Sequence, residues 1–128
     1  CNCYHTMGAG IAKTIKQHFP AAYKADKATA KGSKSKLGSY SQATVETEYG
    51  ELTIVNGYTQ FDFRGRGRKA DYNAIRKVVR GVKDEFSGRR IGFPAIGAGL
   101  AGGNWAVISQ IIQEELKGED FTFVEYRP

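Results

Sequence analysis

Two stretches of this chain combine residue types suited to holding a phosphorylated ligand. The first, CYHTMGAGIAK (residues 3–13), places His5 ahead of Gly8-Ala9-Gly10 and runs at once into an apolar helical pattern. The second, FPAIGAGLAGGNW (residues 93–105), carries four glycines into another such pattern. Residues without a Cβ let the backbone approach a phosphate oxygen, and a helix N-terminus adds unpaired N–H groups and a partial positive charge. Either loop alone could be only a tight turn. Two of them suit a diphosphate better than a single phosphate. His5 adds an acid, base or nucleophile that works near neutral pH, with a structural hydrogen-bonding role as the alternative. FRGRGRK (residues 63–69) supplies Arg64, Arg66 and Arg68. Their paired donors match a terminal phosphate, or they form a solvated loop. His18, closing the first helix, reads as a partner for that helix's C-terminal dipole.

The better-known phosphate motifs do not fit. No G-x-x-x-x-G-K-[ST] run is present, which argues against a P-loop NTPase. GAGLAG (residues 97–102) matches the dinucleotide fingerprint by letter, but the acidic pair at about the expected distance, Glu119-Asp120, precedes the last strand instead of ending one.

The elements that must position these loops follow from periodicity. Ile11, Ile15 and Phe19 recur every fourth residue, which predicts a helix with one buried stripe ended by Pro20. Residues 20–30 suit a second short helix. KGSKSKLGS (residues 31–39) reads as a solvated cationic surface loop. Two β-branched runs around Tyr49-Gly50 predict a hairpin across residues 42–61. Asp71 is expected to cap a helix with Ile75, Val78, Val79, Val82 and Phe86 on one face and Ser87-Gly88 as its stop. A short strand in residues 89–96, a helix capped by Asn104 with Ile108, Ile111, Ile112 and Leu116 inward, and a last strand in residues 121–126 complete the pattern. Strands separated by helices imply right-handed crossovers. The expected fold class is α/β, a three-layer α/β/α sandwich with a mixed sheet containing one antiparallel hairpin.

The 128 residues make one domain, residues 1–128, long enough to bury a core without disulfides or metal. No apolar run reaches the length of a membrane span, and a cytoplasmic address is expected. Cys1 and Cys3 are too close for ordinary disulfide geometry and too few for structural zinc; both read as reduced, Cys3 half-buried. Asn2-Cys3 resembles the exit of a strand, so the first strand of the sheet is expected to be missing ahead of Cys1. The net charge of +6 and pI near 9.4 favour anionic partners.

CNCYHTMGAGIAKTIKQHFP and FPAIGAGLAGGNW, with an Asn-containing strand end between them, resemble the macro domains. The resemblance is closest to the branch that holds ADP-ribose 1''-phosphate phosphatases and terminal ADP-ribose glycohydrolases, with homologues in phages. It covers nearly the whole chain and implies the α/β/α macro-domain fold with ADP-ribose as ligand. Carried over by position, it implies that Asn2 meets the distal ribose, and that Gly8, Ala9, Gly10, Ile11 and Ala12 form one diphosphate loop. Gly97, Ala98, Gly99, Leu100 and Ala101 would form the other, and Tyr126 would cover the adenine. No cofactor or metal is implied.

The glycohydrolases of that branch use a Lys and an Asp where this chain has Gln60 and Ala101, which can neither form a Schiff base nor move protons. The expected function is therefore hydrolysis of the terminal phosphate of ADP-ribose 1''-phosphate, with His5 catalytic. The alternatives are a non-catalytic ADP-ribose reader and a hydrolase that removes ADP-ribose from macromolecules. The partners implied are ADP-ribose, ADP-ribose 1''-phosphate and ADP-ribosylated macromolecules, with no membrane. Nucleic acid is less favoured, because no RNP-like or zinc-finger pattern accompanies the charge.

Overall fold

The computed structural model describes residues 1–62, 64, 67–97 and 101–125. Helix α1 spans Gly10–His18, and α2 follows directly at Pro20–Lys27 with Pro20 in its first turn, where the missing N–H costs nothing. The expected buried stripe of α1 is only partly realised. Ile11 and Ile15 are half-buried, and no residue of α1 is fully covered. Strands β1 (Tyr40–Thr47) and β2 (Gly50–Gly57) form the hairpin, antiparallel, with Tyr40 opposite Gly57 and Thr47 opposite Gly50.

Helix α3 (Tyr72–Phe86) starts where the sequence indicates, with an Asp71 carboxylate oxygen accepting from the Ala74 N–H at 3.0 Å. Strand β3 is only Ile91–Phe93, since Pro94 has no N–H to continue a ladder. Asn104 caps α4 (Trp105–Glu115) through the Ala106 N–H at 2.9 Å, and β4 (Phe121–Phe123) returns parallel to β3.

The hairpin lies between two helices. Asn56 and Gly57 are successive strand residues, so they face opposite sides. Asn56 donates to the Ala22 carbonyl of α2 at 2.9 Å, while a Cβ on Gly57 would sit 2.7 Å from Val78 of α3. On the same α3 face, the Tyr40 hydroxyl donates to the Gly81 carbonyl at 3.2 Å. The main core joins Ile75 and Val79 of α3 to Ile108, Ile111, Ile112 and Leu116, all four of the residues expected inward around α4.

Among the described residues the named strands form two separate pairs, one antiparallel and one parallel. Between them runs a ladder of loop segments. The Thr59 and Gln60 N–H groups donate to the Cys1 carbonyl at 3.1 and 3.4 Å, and the Cys3 N–H donates to the Phe61 carbonyl at 3.0 Å. Gln60 bridges Ala70, and the Lys69 and Ala70 N–H groups donate to the Ala101 carbonyl at 2.7 and 3.1 Å. The α/β class expected from the sequence is the class observed.

Candidate functional site

The first glycine loop is open. Gly8, Ala9 and Gly10 are exposed, and a Cβ on either glycine would meet nothing within 4 Å. Gly10 has φ +59°, which only glycine adopts without cost. Ala9 is the N-cap of α1 and offers no side-chain oxygen, and no acidic residue sits in the first turn. Among the described residues, then, no side chain caps the first N–H groups of the helix, the kind of groups that suit an anion. Ile11 and Ala12, in that first turn, are half-buried.

Behind the loop, Asn2 is buried and spends its side chain on the loop itself. Its Oδ1 accepts from the Tyr4 N–H at 2.8 Å and its Nδ2 donates to the Thr6 hydroxyl. Asn2 thus shapes the turn that carries His5. His5 has φ +59°, the left-handed region, and is the one non-glycine residue there among those described. Its ring is tethered, with Nε2 2.6 Å from the Thr29 carbonyl and 3.3 Å from the Thr29 hydroxyl. A carbonyl only accepts, so Nε2 carries the proton and Nδ1 is the nitrogen left for chemistry; among the described residues it has no hydrogen-bond partner. The Tyr23 hydroxyl donates to the His5 carbonyl at 3.3 Å.

Asp26 and Tyr58, both completely buried, lie beneath this tether. Sequence reading missed them. Lys36 is also buried, against the expectation of a solvated loop. Its Nζ donates to the Cys3 carbonyl at 3.3 Å and sits 4.4 Å from the Tyr58 ring centre, so its charge is held by a carbonyl and an aromatic face. Cys3 is fully buried, more than the half expected, and burial pushes its thiol pKa up, away from reactivity. Both cysteines are free.

At the second glycine loop the described residues, Gly97 and 101–103, are closely packed. Gly97 has φ +73°, and a Cβ there would lie 3.2 Å from each of Ala70, Ile108 and Ile75. The Gly103 N–H donates to the Gly97 carbonyl at 2.7 Å, and a Cβ on Gly103 would lie 2.5 Å from that oxygen. Ala101 is buried, its carbonyl holding Lys69 and Ala70. Ala98, Gly99, Leu100, Tyr126 and Arg66 lie outside the described residues. Arg68 stacks 4.1 Å over Tyr72, whose hydroxyl oxygen accepts from the Asn104 N–H at 3.0 Å. That hydrogen bond, with Arg68, lowers the Tyr72 pKa. Arg64 is ion-paired with Asp62 at 2.9 Å and lies over the Tyr4 ring at 5.0 Å. Gln60 donates to the Asp62 carbonyl at 3.4 Å.

The ladder of segments 1–3, 59–61, 69–71 and 101 ties the roots of the two glycine loops together. Charge favours the first. Residues 1–45 contain seven lysines and a single carboxylate, the buried Asp26, whereas the remaining residues hold twelve basic and twelve acidic side chains. The whole net charge therefore resides in the segment that builds the first loop, α1 and α2. Among the described residues no group of three His, Cys, Asp or Glu could hold a metal, and no helix is long and apolar enough to cross a membrane.

Known proteins are similar to this chain in sequence and fold. The chain is 34% identical to an uncharacterised 17.5 kDa protein of Enterobacteria phage T4, over all of this chain and 84% of that protein. Its fold is similar to that of a Bacteroides thetaiotaomicron protein of unknown function, with 25% identity, a TM-score of 0.79, and coverage of 98% of this chain and 83% of that one. It also resembles the macrodomain of Mycobacterium tuberculosis DarG, with 24% identity, a TM-score of 0.70, and coverage of 100% and 85%. Thermosipho africanus DarTG, solved in complex with ADP-ribose, superposes with a TM-score of 0.77 at 17% identity over 98% of this chain and 36% of that one. The sequence profile of the macro domain family matches residues 1–112, and the chain belongs to that family.

Proposed function

We propose that this macro domain binds ADP-ribose and hydrolyses the terminal phosphate of ADP-ribose 1''-phosphate. The observation that carries the reading is the open, uncapped N-terminus of α1. Its exposed glycines leave room for a diphosphate against uncapped N–H groups, inside the segment that accounts for the chain's net positive charge. The DarTG complex supports the choice of ligand, since a protein that contains a fold of the same kind was solved there with ADP-ribose.

His5 supplies the chemistry. With Nε2–H given to the Thr29 carbonyl, Nδ1 takes a proton from a water molecule as its oxygen bonds to phosphorus. The bond from phosphorus to the oxygen on C1'' breaks, and the ribose oxygen leaves with a proton returned by the imidazole. Inorganic phosphate and ADP-ribose are the products. At the two positions where related glycohydrolases carry Lys and Asp, this chain has Gln60, whose amide is turned to the Asp62 carbonyl, and the buried methyl of Ala101. Neither supports cleavage of a glycosidic bond.

Phosphorus NMR of the protein mixed with ADP-ribose 1''-phosphate tests this directly. Release of inorganic phosphate, cut by about 10²–10⁴-fold in His5→Ala while ADP-ribose affinity stays within a few-fold, is the expected result. Binding with no phosphate release would leave an ADP-ribose reader and remove the enzymatic half of the reading.

A further inference from the structure

The buried polar groups beneath the first loop form a directed chain that ends beside His5. Asn56 Nδ2 donates to the Ser41 hydroxyl at 3.1 Å, and Ser41 lies 2.8 Å from the Tyr58 hydroxyl, which donates to Asp26 Oδ1 at 2.7 Å. Because the Tyr58 proton goes to the carboxylate, Ser41 is the donor in the middle step. Asp26 sits in the last turn of α2. Its main-chain carbonyl accepts both the Thr29 hydroxyl, at 2.6 Å, and the Thr29 N–H, at 3.1 Å. Thr29 in turn holds His5 Nε2 on its carbonyl.

This arrangement is expensive. Among the described residues Asp26 Oδ2 is buried without a hydrogen-bond partner, and a half-satisfied buried carboxylate costs more stability than an apolar residue of similar size. Packing alone does not account for it. Burial, reinforced by Asp26, pushes the Tyr58 phenol up to about 12, so the phenol keeps its proton and remains a donor to the carboxylate across the working pH range. The pair therefore fixes one orientation of the end of α2, and with it the direction of the Thr29 carbonyl.

We propose that Asp26 and Tyr58 are positioning residues for His5: by fixing Thr29 they hold the imidazole as the Nε2–H tautomer and keep Nδ1 available to the substrate. Neither residue touches substrate. The role rests on the reading of His5 as the acid–base group, but the tether can be observed without any turnover.

The test is nitrogen-15 NMR of the His5 ring above its titration range, combined with steady-state phosphate release, in the parent protein, Asp26→Asn and Tyr58→Phe. The parent should show His5 almost wholly as the Nε2–H tautomer. In either variant the Nδ1–H tautomer should rise to a substantial fraction, and kcat should fall about tenfold with KM within a few-fold. If Tyr58→Phe alone fails to fold, because Asp26 is left with two orphaned oxygens, Asp26→Asn/Tyr58→Phe removes the charge as well and carries the same measurement. An unchanged His5 tautomer in folded variants would overturn the inference even if the parent releases phosphate. A parent that releases no phosphate would sink the enzymatic reading, while the tautomer comparison would still decide the tether.

Discussion

The two glycine loops look alike as strings, but their described residues have different surroundings. At the first, Gly8 and Gly10 border open space, and the helix behind them has no side-chain cap. At the second, Gly97 and Gly103 are pressed against Ala70, Ile75, Ile108 and each other's backbone. On the proposed reading, glycine at the first lets a ligand approach from outside, whereas Gly97 and Gly103 at the second let the backbone approach α3 and α4 closely. The two regions should therefore fail in different ways, one in ligand binding and the other in folding.

The largest effect is expected from Gly103→Ala. The new methyl would lie 2.5 Å from the Gly97 carbonyl oxygen and 2.8 Å from Ile108, so the loop or α4 must shift. Overpacking of this kind costs about 1–3 kcal/mol, which a urea denaturation midpoint would register. An unaltered midpoint would place Gly103 with the open glycines and break the contrast.

Gly8→Val probes the opposite behaviour. Its side chain enters empty space, so the denaturation midpoint should stay within about 0.5 kcal/mol of the parent. ADP-ribose affinity should nevertheless fall by about tenfold or more, or about 1.4 kcal/mol, because the valine would occupy the seat proposed for the diphosphate. Equal affinity in calorimetry would mean that the open space is not where the ligand lies.

A smaller effect concerns the contact between α3 and the end of α4. Glu115 of α4 meets Arg80 at 2.8 Å and Arg76 at 3.0 Å, both from α3. Hydrogen bonds and charge from Arg80 and Arg76 draw its pKa down to about 2, below the ordinary 4.5. A depressed carboxylate stabilises the fold fully above its unfolded pKa, and that stability is lost as pH falls from about 4.5 through 2. Melting temperature should drop across that window, and Glu115→Gln should flatten the drop while costing about 0.5–1 kcal/mol at neutral pH. A parent curve with no acid slope in that window would remove the pair from the account.

The smallest effect is on salt dependence. A diphosphate held by backbone N–H groups and steered by surrounding lysines should weaken by only a few-fold between about 50 and 200 mM salt, whereas a groove built for nucleic acid loses about 10³–10⁵. A steep slope would favour the nucleic-acid alternative.

Much of the frame was legible because its signals are local. Asp71 and Asn104 announce their helices through side-chain capping, and the inward face of α4 follows from spacing alone. The difference between the loops was not legible, since GAG reads the same whether its flanks meet solvent or Ile108. Asp26 and Lys36 were hidden for a related reason. Charged residues in a lysine-rich stretch read as surface, and only the fold brings Tyr58 between them. The available signal was the isolation of Asp26, the one carboxylate among residues 1–45. His5 was found by type, but its tether to Thr29, 24 residues away, is a product of α2's position.

The central claim, that the first loop is the open seat for the ligand's diphosphate, is tested most directly by titrating ADP-ribose into nitrogen-15-labelled protein and following each backbone amide. The account predicts saturable shifts that are largest at the N–H groups of Gly10, Ile11 and Ala12. Intact protein that shows no saturable shifts at millimolar ligand, or shifts that leave those three amides unmoved, would contradict it.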